Sequence, residues 1–144
     1  MMPLDCLVLT GELTRDQMWD ELRHTAAEFQ RVGALICNVE FGFAWNLADD
    51  EKARTVASAH VEALIRDHER LGAGLLGEDD VRLRVDGIEV LFCHDSDVHV
   101  FHDDERRSLV AGWVERWISL GGSPSFWRRD PKTGGMHRTT PEVG

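Results

Sequence analysis

The sequence predicts one α+β domain over residues 1–121: an antiparallel sheet packed by three helices as a two-layer sandwich, in the order β-α-β-α-β-β-β-α. Three observations predict it. Apolar residues change along the chain between period 2, which suits a strand, and a period near 3.6, which suits a helix. Asp86-Gly87 stands between two alternating runs, the chemistry of a tight hairpin. The 144 residues are 42% hydrophobic and 29% charged, a composition that fits one ordinary globular core.

Taken in order, LDCLVLT (4–10) reads as a short strand. A helix is expected from about 14 to 31. Thr14 with Gln17 fits a capping box, Trp19, Leu22, Ala26 and Phe29 recur at helical spacing, and Gly33 is a natural stop. ALICNVEFGFAW (34–45) alternates strictly, with Leu35, Cys37, Val39, Phe41, Phe43 and Trp45 on one face. It is expected to be a central strand, with Gly42 marking a bulge or close approach.

Asp49 or Asp50 would cap a second helix over about 50–71, with acids in its first turn. The glycines and acids of 72–80 make a loop. VRLRV and IEVLFC flank Asp86-Gly87 and read as a hairpin with a type I′ turn. HDSD (94–97) reads as a further turn and VHVF (98–101) as a strand. Asp103 or Asp104 then caps a third helix. Leu109, Val110, Trp113, Val114, Trp117 and Ile118 form its apolar stripe, and Gly121 ends it. Residues 122–144, rich in Pro, Gly, Ser and Thr, are expected as an extended, slightly basic arm from which Phe126 and Trp127 can dock back.

Charge narrows the function. The net charge is −10, which repels nucleic-acid phosphates and anionic lipid and attracts a basic protein. No apolar run approaches the roughly 20 residues of a spanning helix. The start lacks a basic n-region, so no secretory leader is expected, and the expected location is the cytoplasm. Cys6, Cys37 and Cys93 are far apart without a C-x-x-C, so reduced, buried thiols are expected.

The stretch CHDSDVHVFHDDE (93–105) concentrates histidines and acids. His94, His99 and His102 do not share one strand face: His99 points opposite to the other two. Asp95, Asp97 and His99 share a face only if no turn intervenes, and Asp-Ser-Asp is turn chemistry. H-E-x-x-H, G-x-S-x-G and both glycine-rich phosphate motifs are absent. No cofactor, no metal and no catalytic residue are therefore assigned. An enzyme or metal protein built on Asp95, Asp97, His99 and His102 is the second reading, and an adaptor or chaperone-like self-associating module the third.

Local rules explain each acid singly, but not their accumulation in the four knots 49–51, 78–80, 95–97 and 103–105. Because the hairpin strands are antiparallel, 78–80 and 94–97 share one end of the sheet, and 103–105 lies at the other. Asp79, Asp80, Asp95 and Asp97, with His99 and Trp127 nearby, are the expected partner-binding residues.

The run LVAGWVERWISLGGSPSFW (109–127) follows a β-meander with an amphipathic helix and then G-G-x-P-x-x-W. This resembles the C-terminal part of some small acidic bacterial toxin-immunity proteins. The resemblance implies a cytosolic inhibitor that plugs the basic active site of a nuclease or deaminase toxin.

Overall fold

A computed structural model describes residues 4–140. The last residues of the expected arm, 141–144, and residues 1–3 of the expected leaderless start lie outside the described residues. The elements are β1 (Cys6–Leu9), α1 (Arg15–Arg31), β2 (Ile36–Phe41), β3 (Ala53–Ala57), α2 (Val61–Arg70), β4 (Val81–Val85), β5 (Ile88–Phe92), β6 (Val98–His102), α3 (Arg107–Ser119), β7 (Ser125–Arg129) and β8 (Met136–Thr139). They build an 8-stranded sheet in the order β3-β2-β4-β5-β6-β1-β7-β8. Every pair of neighbours is antiparallel.

The helices share a core with one face of this sheet, giving the expected two-layer α+β sandwich. Met18, Trp19, Leu22 and Phe29 of α1, Val61 and Ile65 of α2, and Val110, Trp113 and Trp117 of α3 join one cluster with Val8, Val39, Leu83, Val90 and Val100. Period 2 explains the sheet's side of that cluster. β2 alternates exposed and buried throughout, so Asn38 and Glu40 line the opposite face. Helices α1 and α3 are tied by Glu21 of α1. Its buried carboxylate accepts a hydrogen bond from Trp117 Nε1 at 2.8 Å and pairs with Arg116.

Thr14 caps α1 in the expected box: its side chain accepts from Gln17 N–H, and the Gln17 side chain accepts from Thr14 N–H. Asp103 is the acid that caps the third helical segment, accepting from Arg106 N–H at 3.0 Å.

Four expectations need correction. Only the second half of the expected 50–71 helix is helical. Residues 49–51 form a single 3-10 turn, and the chain then runs as β3 against β2. Thr55 and Val56, both β-branched, favour that outcome, and Thr55 Oγ1 donates to Asn38 Oδ1 across the pair at 2.8 Å. The expected arm likewise does not stand apart from the sheet: β7 pairs with β1 and β8 with β7, and Phe126 packs on the core. The 86–87 turn is not type I′, which requires φ > 0 at both central residues. Gly87 has φ +80°, but Asp86 does not share that region. Finally, the alternation of 34–45 stops at Phe41. Leu35 and Phe43 are exposed, Phe43 at 92%.

Candidate functional site: an acidic end of the sheet

The register of three strands constructs this site. Val81 pairs with Phe92, and Phe92 with Val98. One residue beyond those pairs, Asp80, Cys93 and Asp97 therefore lie side by side. Backbone and capping hydrogen bonds fix the row. Cys93 N–H donates to the Asp97 carbonyl at 2.9 Å, and His94 N–H donates to Asp80 Oδ1 at 2.7 Å.

Asp80 is also held from the β2 side. Its carbonyl accepts from Gly42 N–H at 2.8 Å and from Trp45 Nε1 at 2.9 Å. Gly42 is the close approach that its position predicts: a Cβ there would sit 3.1 Å from the Asp80 Cβ. The turn after Cys93 needs one left-handed residue, and Ser96 supplies it at φ 62°. Ser96 Oγ ties this turn to the 72–80 loop by donating to the Gly77 carbonyl at 3.1 Å.

The expected gathering of 78–80 and 94–97 is thus observed, and it is larger than expected. β3 begins beside Glu40 and β1 ends beside His99. Asp49, Asp50 and Glu51, just before β3, and Glu12, just after β1, consequently belong to the same end. Among the described residues, no lysine or arginine forms an ion pair with these acids or with Glu78, Asp79, Asp80, Asp95 or Asp97. The side chains that pair with them are histidines: His94 beside Asp80 and Asp95, and His99 beside Asp97. Asp79 is partly occupied locally, accepting from Leu75 N–H at 2.9 Å. Asp95 is open to solvent.

Two histidine–carboxylate pairs flank Cys93. His94 Nδ1 donates to Asp80 Oδ1 at 3.0 Å and lies 3.7 Å from Cys93 Sγ. His99 Nε2 lies 2.9 Å from Asp97 Oδ1. The ligand atoms of Asp80, Cys93 and His94 fall within 4.8 Å of one another, as do those of Cys93, Asp97 and His99. The hydrogen bond to Asp80 and its charge hold the His94 ring above the ordinary histidine pKa. Burial pushes the Cys93 thiol up, and the charges of Asp97 and Asp80 add to that. A thiol whose pKa is raised is poorly suited to nucleophilic attack. His94 turns the same nitrogen, Nδ1, toward both Cys93 and Asp80, and its Nε2 lies 3.5 Å from Asp95 Oδ1.

Of the other residues singled out in the sequence, His102 is buried at the opposite end. Its Nδ1 hydrogen-bonds the Asp103 carbonyl at 2.8 Å, so His94, His99 and His102 share no centre. Trp127 is not brought to the acids. It stands in the middle of β7, opposite Leu7, with Nε1 donating to Ser125 Oγ at 3.1 Å. His68 of α2 is buried against Phe41, with ring centroids 5.1 Å apart.

Sequence reasoning missed two residues of this end. Phe43 stands out from the loop following Gly42, beside the acids, and a glycine that breaks strand parity was its only signal. Cys93 was read as a buried thiol, which it is, but its place between two His–Asp pairs comes from strand register. Among the described residues, no helix is long and apolar enough to cross a membrane. No protein-family model, curated protein or solved structure matches this chain.

Proposed function

We propose that this protein is a cytoplasmic, protein-binding inhibitor, of the kind bacterial toxin-immunity proteins represent, and that its acidic sheet end docks on a basic partner enzyme. One observation carries the reading: separate loops from four parts of the chain bring their acids to one end, where, among the described residues, no lysine or arginine forms an ion pair with them. A concentrated field of one sign steers association with a partner of opposite sign and competes for the place that substrate phosphates would take. Phe43, 92% exposed within that field, supplies the aromatic anchor that such interfaces use.

The test is affinity capture from lysate of the native host, washed at low salt and at about 0.5 M salt, where screening shortens to a few ångströms. A single basic enzyme retained at low salt, released at high salt and inhibited by the purified chain is the expected result. Substituting Asp79, Asp80, Asp95 and Asp97 together by Asn then slows association and flattens its salt dependence. An unchanged on-rate would remove the interface from this end of the sheet.

A further inference from the structure

We propose that Cys93, His94 and Asp80 form a binding site for one thiophilic divalent cation of the zinc class, with one coordination position open to solvent. The argument begins with donor chemistry. A thiolate, an imidazole and a carboxylate are the three ligand types that zinc accepts, and three protein ligands with an open position make a recognised arrangement.

Two of the three separations suit the ion, and the third, from Cys93 Sγ to the Asp80 carboxylate, is within 4.8 Å. Zinc–sulfur and zinc–nitrogen bonds of about 2.3 and 2.0 Å at a tetrahedral angle place the two ligand atoms about 3.6 Å apart. Cys93 Sγ and His94 Nδ1 are 3.7 Å apart. Asp80 Oδ1, at 3.0 Å from the same nitrogen, needs to move out by only about 0.4 Å to reach a tetrahedral spacing. The entering cation displaces two protons to solvent, one from the Cys93 thiol and one from His94 Nδ1, and the nitrogen that now donates to Asp80 becomes the ligand.

The position is built by the fold. Strand register sets Asp80 beside Cys93, the His94 backbone N–H holds the Asp80 carboxylate at 2.7 Å, and Cys93 is 6% exposed, which shields its sulfur while the outer side stays open. The same sulfur also lies within reach of the His99–Asp97 pair. That pair is less accessible, with side chains 22% and 19% exposed against 60% and 37% for His94 and Asp80. The more open pair is the one that can reorient around an entering ion, and it takes the ligand role here. His99 and Asp97 lie on the sulfur's other side as outer partners.

Cobalt(II) added to chelator-treated chain carrying no polyhistidine tag reads the site directly. One equivalent is expected to give thiolate-to-cobalt absorption in the near ultraviolet, and added zinc should abolish it. Cys93→Ser should remove the absorption. His94→Ala and Asp80→Ala should each weaken zinc binding, measured against a competing chelator, by more than the roughly tenfold that losing an outer partner costs. His99→Ala should stay within that tenfold. Absence of the thiolate absorption in the unmodified chain would overturn the site, and so would loss of binding in His99→Ala with retention in His94→Ala. If Cys93→Ser fails to fold by circular dichroism, the surface variants at His94 and Asp80 decide the matter.

Discussion

The two ends of the sheet use the same residue types to opposite effect. At the far end, acids meet arginines. Asp104 lies 2.7 Å from Arg107 and 3.6 Å from Arg128, Asp5 lies 3.4 Å from Arg129, and Arg106 donates to the Asp86 carbonyl at 3.1 Å. At the near end, acids meet backbone N–H groups and histidines. A carboxylate beside an arginine largely cancels at a distance, whereas one capping a loop keeps its full charge outward. Net charge alone therefore says little about where a field points; the placement of the few cations decides it.

The largest expected effect tests that contrast kinetically. Removing the near-end charges at Asp79, Asp80, Asp95 and Asp97 should slow association with the captured partner by about tenfold or more. Removing the arginine-paired charges of the far end, at Asp5 and Asp104, should leave the rate within about twofold, measured by stopped-flow at low salt.

A second contrast is in stability. Asp103 is buried and caps its helix, so Asp103→Ala should cost about 1–2 kcal/mol in urea unfolding. Asp95 is exposed and holds no backbone group, so Asp95→Ala should stay within about 0.5 kcal/mol. Equal costs would break the distinction between an end that stabilises and an end that projects charge.

The smallest effect, and the sharpest, is in pH. In metal-free protein the bond to Asp80 raises the His94 pKa. Its stabilising contribution is therefore full below the unfolded value of about 6.5 and is lost as pH rises through the folded value. Burial, aided by Arg107, lowers the His102 pKa. Its contribution is full above about 6.5 and is lost as pH falls through the folded value. Melting temperatures recorded from about pH 7.5 to pH 5.5 should fall more steeply for Asp80→Asn and less steeply for His102→Gln than for the unmodified chain.

The sequence displays the α1 capping box, the 81–92 hairpin, the third helix and the shared end of 78–80 and 94–97 because each rests on local chemistry or on strand polarity. It hides β3, because Asp49-Asp50-Glu51 is good helix-start chemistry and Lys52-Ala53-Arg54 are helix formers; only pairing with β2 decides the conformation. It hides β7 for the same reason, since its partner β1 lies more than a hundred residues away, and it hides β8 with it, because β8 pairs only with β7. The acids could be placed by counting residues along strands. Cys93 could not, since its neighbours Asp80 and Asp97 arrive from either side only when three strands lie in register.

Position 74 shows how that dependence reaches beyond the strands. A Cβ on Gly74 would sit 2.5 Å from the Trp45 ring, and it is Trp45 that holds the Asp80 carbonyl. The 72–80 loop has the glycine-rich look of ground open to evolutionary drift, yet this residue is closed to it. Lineages descending from this chain should vary freely at the exposed positions 131 and 132 while keeping glycine at 74.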